Sequence, residues 1–376
     1  MHNRIPRGWR ALLYVALLGF VSLCSNMATA AEHAEADASA TAAVPADAGQ
    51  RFIAVLLPLN SKAFKPAVSQ LKAGVLAAEK AYGDGNQPPV RMFDSGEKDE
   101  DVLKQYNKAV NEGAAAVIGP LTRSAVNYLA DNASFPVPVV ALNSFDEQTL
   151  RRPNLYSFSL SVEQEAAALA HRLSREGVTK PAVLVATGTL NARMEGGFAA
   201  AWQDDAGSAP LLIEVGDSVA SYAAVKAKLA EQGVDAIFLA ANGRQARKLR
   251  PYLGTDWPIY ASSQINSGNL ASTALVDLTG IRYLEMPWLA NADDPLYAVF
   301  VRTRTNSADL ERLFALGVDA WRVAVALAEP DGHVAVDGLS GVLTVGSGGV
   351  IQRDMDFKTL TLPGKTSDPS ADPGTH

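Results

Sequence analysis

Cysteine is nearly absent from this chain. One thiol, Cys24, stands among 376 residues, so no internal disulfide can form and a cystine-stapled fold is excluded. Histidine is sparse as well: His2, His33, His171, His333 and His376 are scattered with no pair at metal-ligand spacing, so a zinc site of His and Cys lacks its parts. There is no basic excess. With 33 Lys and Arg against 40 Asp and Glu, the net charge is −7, which argues against a nucleic-acid partner, because phosphate neutralisation wants a basic surface.

Catalytic signatures are missing too. The folded part contains no G-x-S-x-G, no Walker A and no G-x-G-x-x-G, and no two carboxylates are placed together as an acid/base pair. Ser69-x-x-Lys72 matches the S-x-x-K of penicillin-recognising enzymes, but it lies inside an amphipathic helical pattern and no S-D-N follows. Lys365-Thr366 is followed by Ser367 where a K-T-G motif needs glycine. Ser69 is therefore expected on a solvent-facing helix surface, with no catalytic residue, metal or cofactor.

What is present fits a globular chain of about two domains, 48% apolar and 19% charged. Arg4, Arg7 and Arg10 precede an apolar run of 13 residues, Ala11–Leu23, and Ala28-Thr29-Ala30 offers a small-x-small cleavage site. Residues 1–30 read as an export signal, too short for a membrane span. Cleavage after Ala30 would leave a thiol-free soluble periplasmic protein. In the rival reading Val21–Cys24 is a lipobox with bulky Leu23 before the cysteine, and a lipidated Cys24 would anchor the chain as an outer-membrane lipoprotein. Residues 31–50, rich in Ala and small or acidic side chains, and residues 363–376, with three prolines, read as disordered segments.

Between them, short apolar runs alternate with amphipathic helical patterns. The run Phe52–Leu57 (FIAVLL) precedes Phe64, Val68, Leu71, Val75, Ala78 and Tyr82, spaced along one helical face. The pattern recurs at Val90–Phe93, Ala115–Ile118 and Val137–Leu142, and Ser161-x-x-Gln164 reads as a capping box. A second series follows at Ala182–Val185, Leu211–Val215, Ala236–Leu239 and Pro258–Tyr260. Such alternation predicts α/β architecture with parallel sheets flanked by helices, and two series predict two lobes, since one open sheet of that many strands would be unusually large. Toward the end, Asp294-Pro295 is expected to cap a helix, Leu313–Leu327 to form another, and Gly346–Gly349 to sit in a hairpin-like setting.

Loops after the strands carry Asn60, Ser61, Thr122, Asn143 and Ser144 in the first lobe, and Thr187, Asn242, Ser263 and Gln264 in the second. Ligands of open parallel sheets bind outside these ends, so the set is a candidate cleft. Each member is also a favoured helix cap, and Asn242, three residues before Gln245, reads as one. Arg244, Arg247 and Lys248 form a basic stripe on one helix, a solvated face by default or a surface for an acidic partner. Trp288 is expected to pack near a crossing between lobes, and Trp321 in the core.

The two-lobed layout, with Leu57-Pro58-Leu59 after the first strand and Ile118-Gly119-Pro120 after the third, resembles the type 1 periplasmic binding-protein fold. Asp235–Asn242 (DAIFLAAN), Gln245–Pro251 (QARKLRP), Pro258–Ser262 (PIYAS), Glu285–Leu289 (EMPWL) and Arg312–Trp321 (RLFALGVDAW) resemble one branch, the LppC-type penicillin-binding-protein activators. This resemblance runs from about Arg51 to Leu362. It implies lobe 1 over 51–162 plus about 290–335, and lobe 2 over 163–289 plus about 336–362. It also implies a non-catalytic periplasmic regulator whose partner is a class A penicillin-binding protein, with a small polar ligand or peptidoglycan fragment as a further possible occupant of the cleft. The best-known members are outer-membrane lipoproteins with a helical-repeat domain ahead of this one; here about 20 residues separate the export signal from the first strand. The alternative is a solute receptor of an ABC transporter for an amino acid or small polar ligand.

Overall fold

The structure, a computed structural model, describes residues 51–145, 152–268, 270–302, 305 and 307–362. The export signal with Cys24, the 31–50 leader and the tail with Lys365 and Thr366 lie outside the described residues.

Lobe 1 begins with β1 (Phe52–Leu57), α1 (Lys65–Tyr82), β2 (Val90–Asp94), α2 (Asp99–Asn111), β3 (Ala114–Ile118), α3 (Arg123–Asn132), β4 (Val139–Ala141) and β5 (Leu155–Ser157). Its five strands are all parallel, in the order β2-β1-β3-β4-β5. All six residues of β1 are buried, because helices cover both sheet faces; hence the unbroken apolar run rather than an alternating one.

Lobe 2 contains α4 (Val162–Arg175), β6 (Pro181–Ala186), α5 (Thr189–Ala206), β7 (Leu211–Val215), α6 (Val219–Gln232), β8 (Ala236–Ala240), α7 (Gly243–Leu253), β9 (Ile259–Ala261), α8 (Ser272–Leu278) and β10 (Arg282–Glu285). The chain then passes α9 (Pro287–Ala290) and returns to lobe 1 as α10 (Ala308–Ala328), which packs along α1. A three-stranded antiparallel sheet follows, β11 (Ala335–Gly338), β12 (Gly341–Val345) and β13 (Ile351–Asp354), and β14 (Asp356–Thr359) closes lobe 2 against β10. The lobe 2 order is β14-β10-β9-β8-β6-β7, with only β14 antiparallel.

Glycine sets the closest helix contacts. A Cβ on Gly74 of α1 would sit 2.2 Å from the Phe314 carbonyl oxygen, and one on Gly317 of α10 2.3 Å from that of Leu71. Backbones meet there directly. In lobe 2, Gly197 of α5 likewise lies against the Glu163 backbone of α4. One apolar core runs from Ile53, Val55 and Leu57 through Trp288 and Phe314 at the junction to Phe198 and Phe238 in lobe 2. Truncating one of these aromatic side chains to alanine should cost about 3–5 kcal/mol.

Two local expectations need correction. Ser161 Oγ accepts from the Gln164 N–H, but the Gln164 side chain takes a bond from Ser159 Oγ rather than turning back to Ser161, so the capping box is half formed. Asp294 caps a single 3-10 turn, Pro295–Tyr297, and no α-helix; the exposed Leu296 and Val299 give that segment no apolar stripe to bury. Gly346–Gly349 makes the turn between β12 and β13.

Candidate functional site

In lobe 1 the loop side chains are committed to nearby backbone groups or to one another. The Asp94 carboxylate accepts from the Leu59 N–H at 3.0 Å and from Asn60 Nδ2 at 2.5 Å. Ser61 Oγ accepts from the Phe64 N–H, and Thr122 Oγ1 caps α3 by accepting from the Ala125 N–H at 3.3 Å. Asn143 Nδ2 donates to the Leu121 carbonyl while its Oδ1 takes the Ser144 N–H. A hollow among Pro58, Ser95, Pro120 and Thr122 measures about 10 Å³, room for no more than a water.

The lobe 2 loops are similar. Asn242 and Gln245 form a complete capping box at the start of α7. Gln245 Nε2 and Asn191 Nδ2 both donate to the Thr187 carbonyl, at 2.8 and 3.1 Å. In the stripe, Arg247 pairs with Asp277 at 2.7 Å and Lys248 with Asp217 at 2.8 Å, and Arg244 adds its field to Asp217. Two of the three cations thus have internal partners.

The two lobes meet at a buried ionic cluster. Arg312, on α10 and 4% exposed, donates to both oxygens of Glu285, itself 1% exposed at the end of β10, at 3.1 and 2.7 Å. Its other donors reach Asp309 at 2.8 Å and the carbonyls of Ser263 and Asn266. Glu165 on α4 accepts from the Ser263 N–H and, at 2.8 Å, from Ser263 Oγ. Arg353 on β13 donates to the Ser159 carbonyl at 3.1 Å. Burial pushes the Glu165 carboxyl up, against the pull of the Ser263 donors. Burial also pushes Arg353 down. On Arg312 burial acts the same way, but Glu285 outweighs it and holds the guanidinium above its ordinary value. A cavity of about 220 Å³ lies here, between Leu160, Glu165, Ser263, Gln264, Arg312 and Arg353.

Of the residues singled out from sequence, this cavity takes Ser263 and Gln264; Asn60, Ser61, Thr122, Asn143 and Ser144 do not line it. Glu165, Glu285, Arg312 and Arg353 were not singled out as site residues. Glu285 and Arg312 do begin two of the strings that carry the family resemblance. Trp288 lies fully buried with Nε1 bonded to Glu311 and Arg302 stacked 3.6 Å over its ring, which makes it packing rather than a ligand platform. Ser263 faces the Glu165 carboxylate, and no group of three or more His, Cys, Asp or Glu that could hold a metal ion occurs among the described residues.

The chain is 27% identical over 316 residues to the penicillin-binding protein activator LpoA of Pasteurella multocida, covering 81% of this chain and 52% of that one. The chain spans about half the length of the curated relatives it matches. Among solved structures it is similar to a Chromobacterium violaceum protein described as a "putative branched-chain amino acid ABC transporter", at 31% identity and TM-score 0.71, covering 82% of this chain and 99% of that one. The C-domain of Haemophilus influenzae LpoA, described as a regulator of PBP1A, shares the fold at 24% identity and TM-score 0.69, over 82% of this chain and 96% of that one. The model of one family, described as "LppC putative lipoprotein", matches residues 47–360. The chain belongs to the LppC family.

Proposed function

We propose that the protein is a non-catalytic periplasmic regulator of peptidoglycan synthesis that binds a class A penicillin-binding protein and stimulates it. The match to the LppC family across residues 47–360 carries this reading, together with relatives named as penicillin-binding protein activators. The junction supports it physically. A core continuous through both lobes, and a buried Arg312–Glu285 pair across them, favour a fixed body offered to a partner over two lobes that open and close on a solute. Export through residues 1–30 delivers the chain to the compartment where the synthase acts, either cleaved after Ala30 or lipidated at Cys24; palmitate labelling of wild type and Cys24→Ala decides between these. Capture of a class A penicillin-binding protein from envelope extract by the tagged protein tests the partner.

A second reading, a solute receptor of an ABC transporter, draws on the likeness to the Chromobacterium violaceum protein. It would place a small polar ligand against the candidate cleft set, Asn60, Ser61, Thr122, Asn143 and Ser144 in lobe 1 with Thr187, Asn242, Ser263 and Gln264 in lobe 2. A thermal-shift screen with amino acids and peptidoglycan fragments separates the two: a saturable rise in melting temperature with a solute favours the receptor.

A further inference from the structure

A second and larger cavity, about 440 Å³, adjoins the junction cavity and shares Glu165, Leu284, Arg353 and Met355 with it. Its volume falls within the range of small-ligand sites. One wall is α4, and the other is the small sheet, through side chains of β12 and β13. That sheet is tied to lobe 1, because Val350 is bridged to Ser157 of β5, whereas α4 belongs to lobe 2. An occupant would therefore touch both lobes. None of the strand-end loop residues singled out from sequence lines this cavity, so it is separate from the cleft of the receptor reading.

Much of the lining is apolar, with Ala167, Ala168, Leu284, Val350, Ile351 and Met355. The basic side chains on it are His171, Arg172, Arg175 and Arg353. His171 is bonded to Asp205 at 2.7 Å and Arg172 to Glu176 at 2.9 Å. Arg175 reaches only the His171 carbonyl, but it is exposed, where water screens it. Arg353 differs. Half-buried, it donates only to the Ser159 carbonyl at 3.1 Å, with no carboxylate at ion-pair distance among the described residues. A guanidinium carries its N–H donors in a planar fork, and most of this one's are unused. Withdrawing such a charge from water without an anion is costly, which is why burial pushes Arg353 down. The cavity's own acids do not answer it. Glu165 adds its field to Arg353, but its oxygens are taken by the Ser263 N–H and Oγ. Asp354 is exposed and acts on Arg172.

We propose that this cavity binds a small organic carboxylate with an apolar body, its carboxylate meeting the unused donors of Arg353 and its body lying against Ala167, Ala168, Leu284 and Ile351. An Arg–carboxylate contact of this kind is two-pointed, so it fixes the ligand's orientation as well as holding it. The apolar wall supplies the rest of the affinity by burial. The inference rests on the cavity alone and stands under either reading of the function.

The test titrates the full chain by calorimetry with N-acetyl-leucine, N-acetyl-phenylalanine and hexanoate, each beside its uncharged amide. At least one carboxylate should bind saturably, with its amide about tenfold weaker or worse. Arg353→Met should weaken that carboxylate by about the same factor. Ala168→Trp fills the cavity from α4, and Thr344→Trp covers it from the exposed surface of β12. Each should block binding while the melting temperature holds, and either one suffices where the other fails to fold. The proposal is overturned if none of the three carboxylates binds, if the amide binds as well as its acid, or if binding survives a tryptophan variant that melts like wild type.

Discussion

Arg312 and Glu285, 27 positions apart in sequence, meet in a two-point ion pair of 3.1 and 2.7 Å where the helix that returns to lobe 1 touches the last parallel strand of lobe 2. Removing one partner strands the other as a buried charge, whereas replacing both with apolar groups does not. Arg312→Met should cost about 3–5 kcal/mol in urea unfolding, and the double variant Arg312→Met, Glu285→Leu should recover most of that loss. A single variant within about 1 kcal/mol of wild type would show that water reaches the pair.

The backbone contact of α1 with α10 leaves no room for a side chain at Gly317. Gly317→Val should force the helices apart and cost about 1–3 kcal/mol, read as a lowered melting temperature. A melting temperature equal to wild type would mean that the helices do not meet as closely as the glycines indicate.

How much of this was legible in the chain differs from place to place. β1 and α1 announce themselves, because a buried parallel strand is unbroken in its apolar run and the helix repeats its apolar face from Phe64 to Tyr82. β5, three residues long, and β14, an edge strand with one antiparallel neighbour, carry too few side chains for a pattern. The loop residues Thr122 and Asn242 were visible as polar strand-end residues, and local spacing marked Asn242 as a cap, the role it has. The junction cluster was not visible: Glu165 meets Ser263 across 98 positions and Arg353 meets Ser159 across 194. No local periodicity encodes contacts that the fold alone creates.

Stability should respond to pH through two buried carboxyls. Burial raises Glu165 and Asp319 above their ordinary 4.5 and 3.8, although Ser263, Ser340 and Leu339 donate to them. A carboxyl raised in the fold binds its proton more tightly folded than unfolded, so its contribution is present at low pH and is lost as pH climbs from the ordinary value through the raised one. Glu163 and Asp235 act oppositely, since burial there is outweighed by Arg193 and by the Thr179 donors; their stabilisation disappears only as pH falls below about 4.5. In the window between the raised values and the ordinary ones the raised pair dominates. The melting temperature should rise as pH falls through that window, and Glu165→Gln with Asp319→Asn should flatten the slope. An unchanged slope in the double variant would contradict the assignment.

The stripe of Arg244, Arg247 and Lys248 is largely satisfied by Asp217 and Asp277, all on exposed surface. Reversal of the three to Glu should change stability by no more than about 1 kcal/mol per pair and leave synthase capture intact. Loss of capture would place the docking surface on α7.

The account turns on whether this chain regulates a cell-wall synthase. The most direct measurement is the initial rate of glycan polymerisation by the purified class A penicillin-binding protein of the same organism, with and without a molar excess of this protein. The account predicts a saturable increase in rate. An unchanged rate, with a solute that raises the protein's melting temperature, would contradict it and point to the receptor.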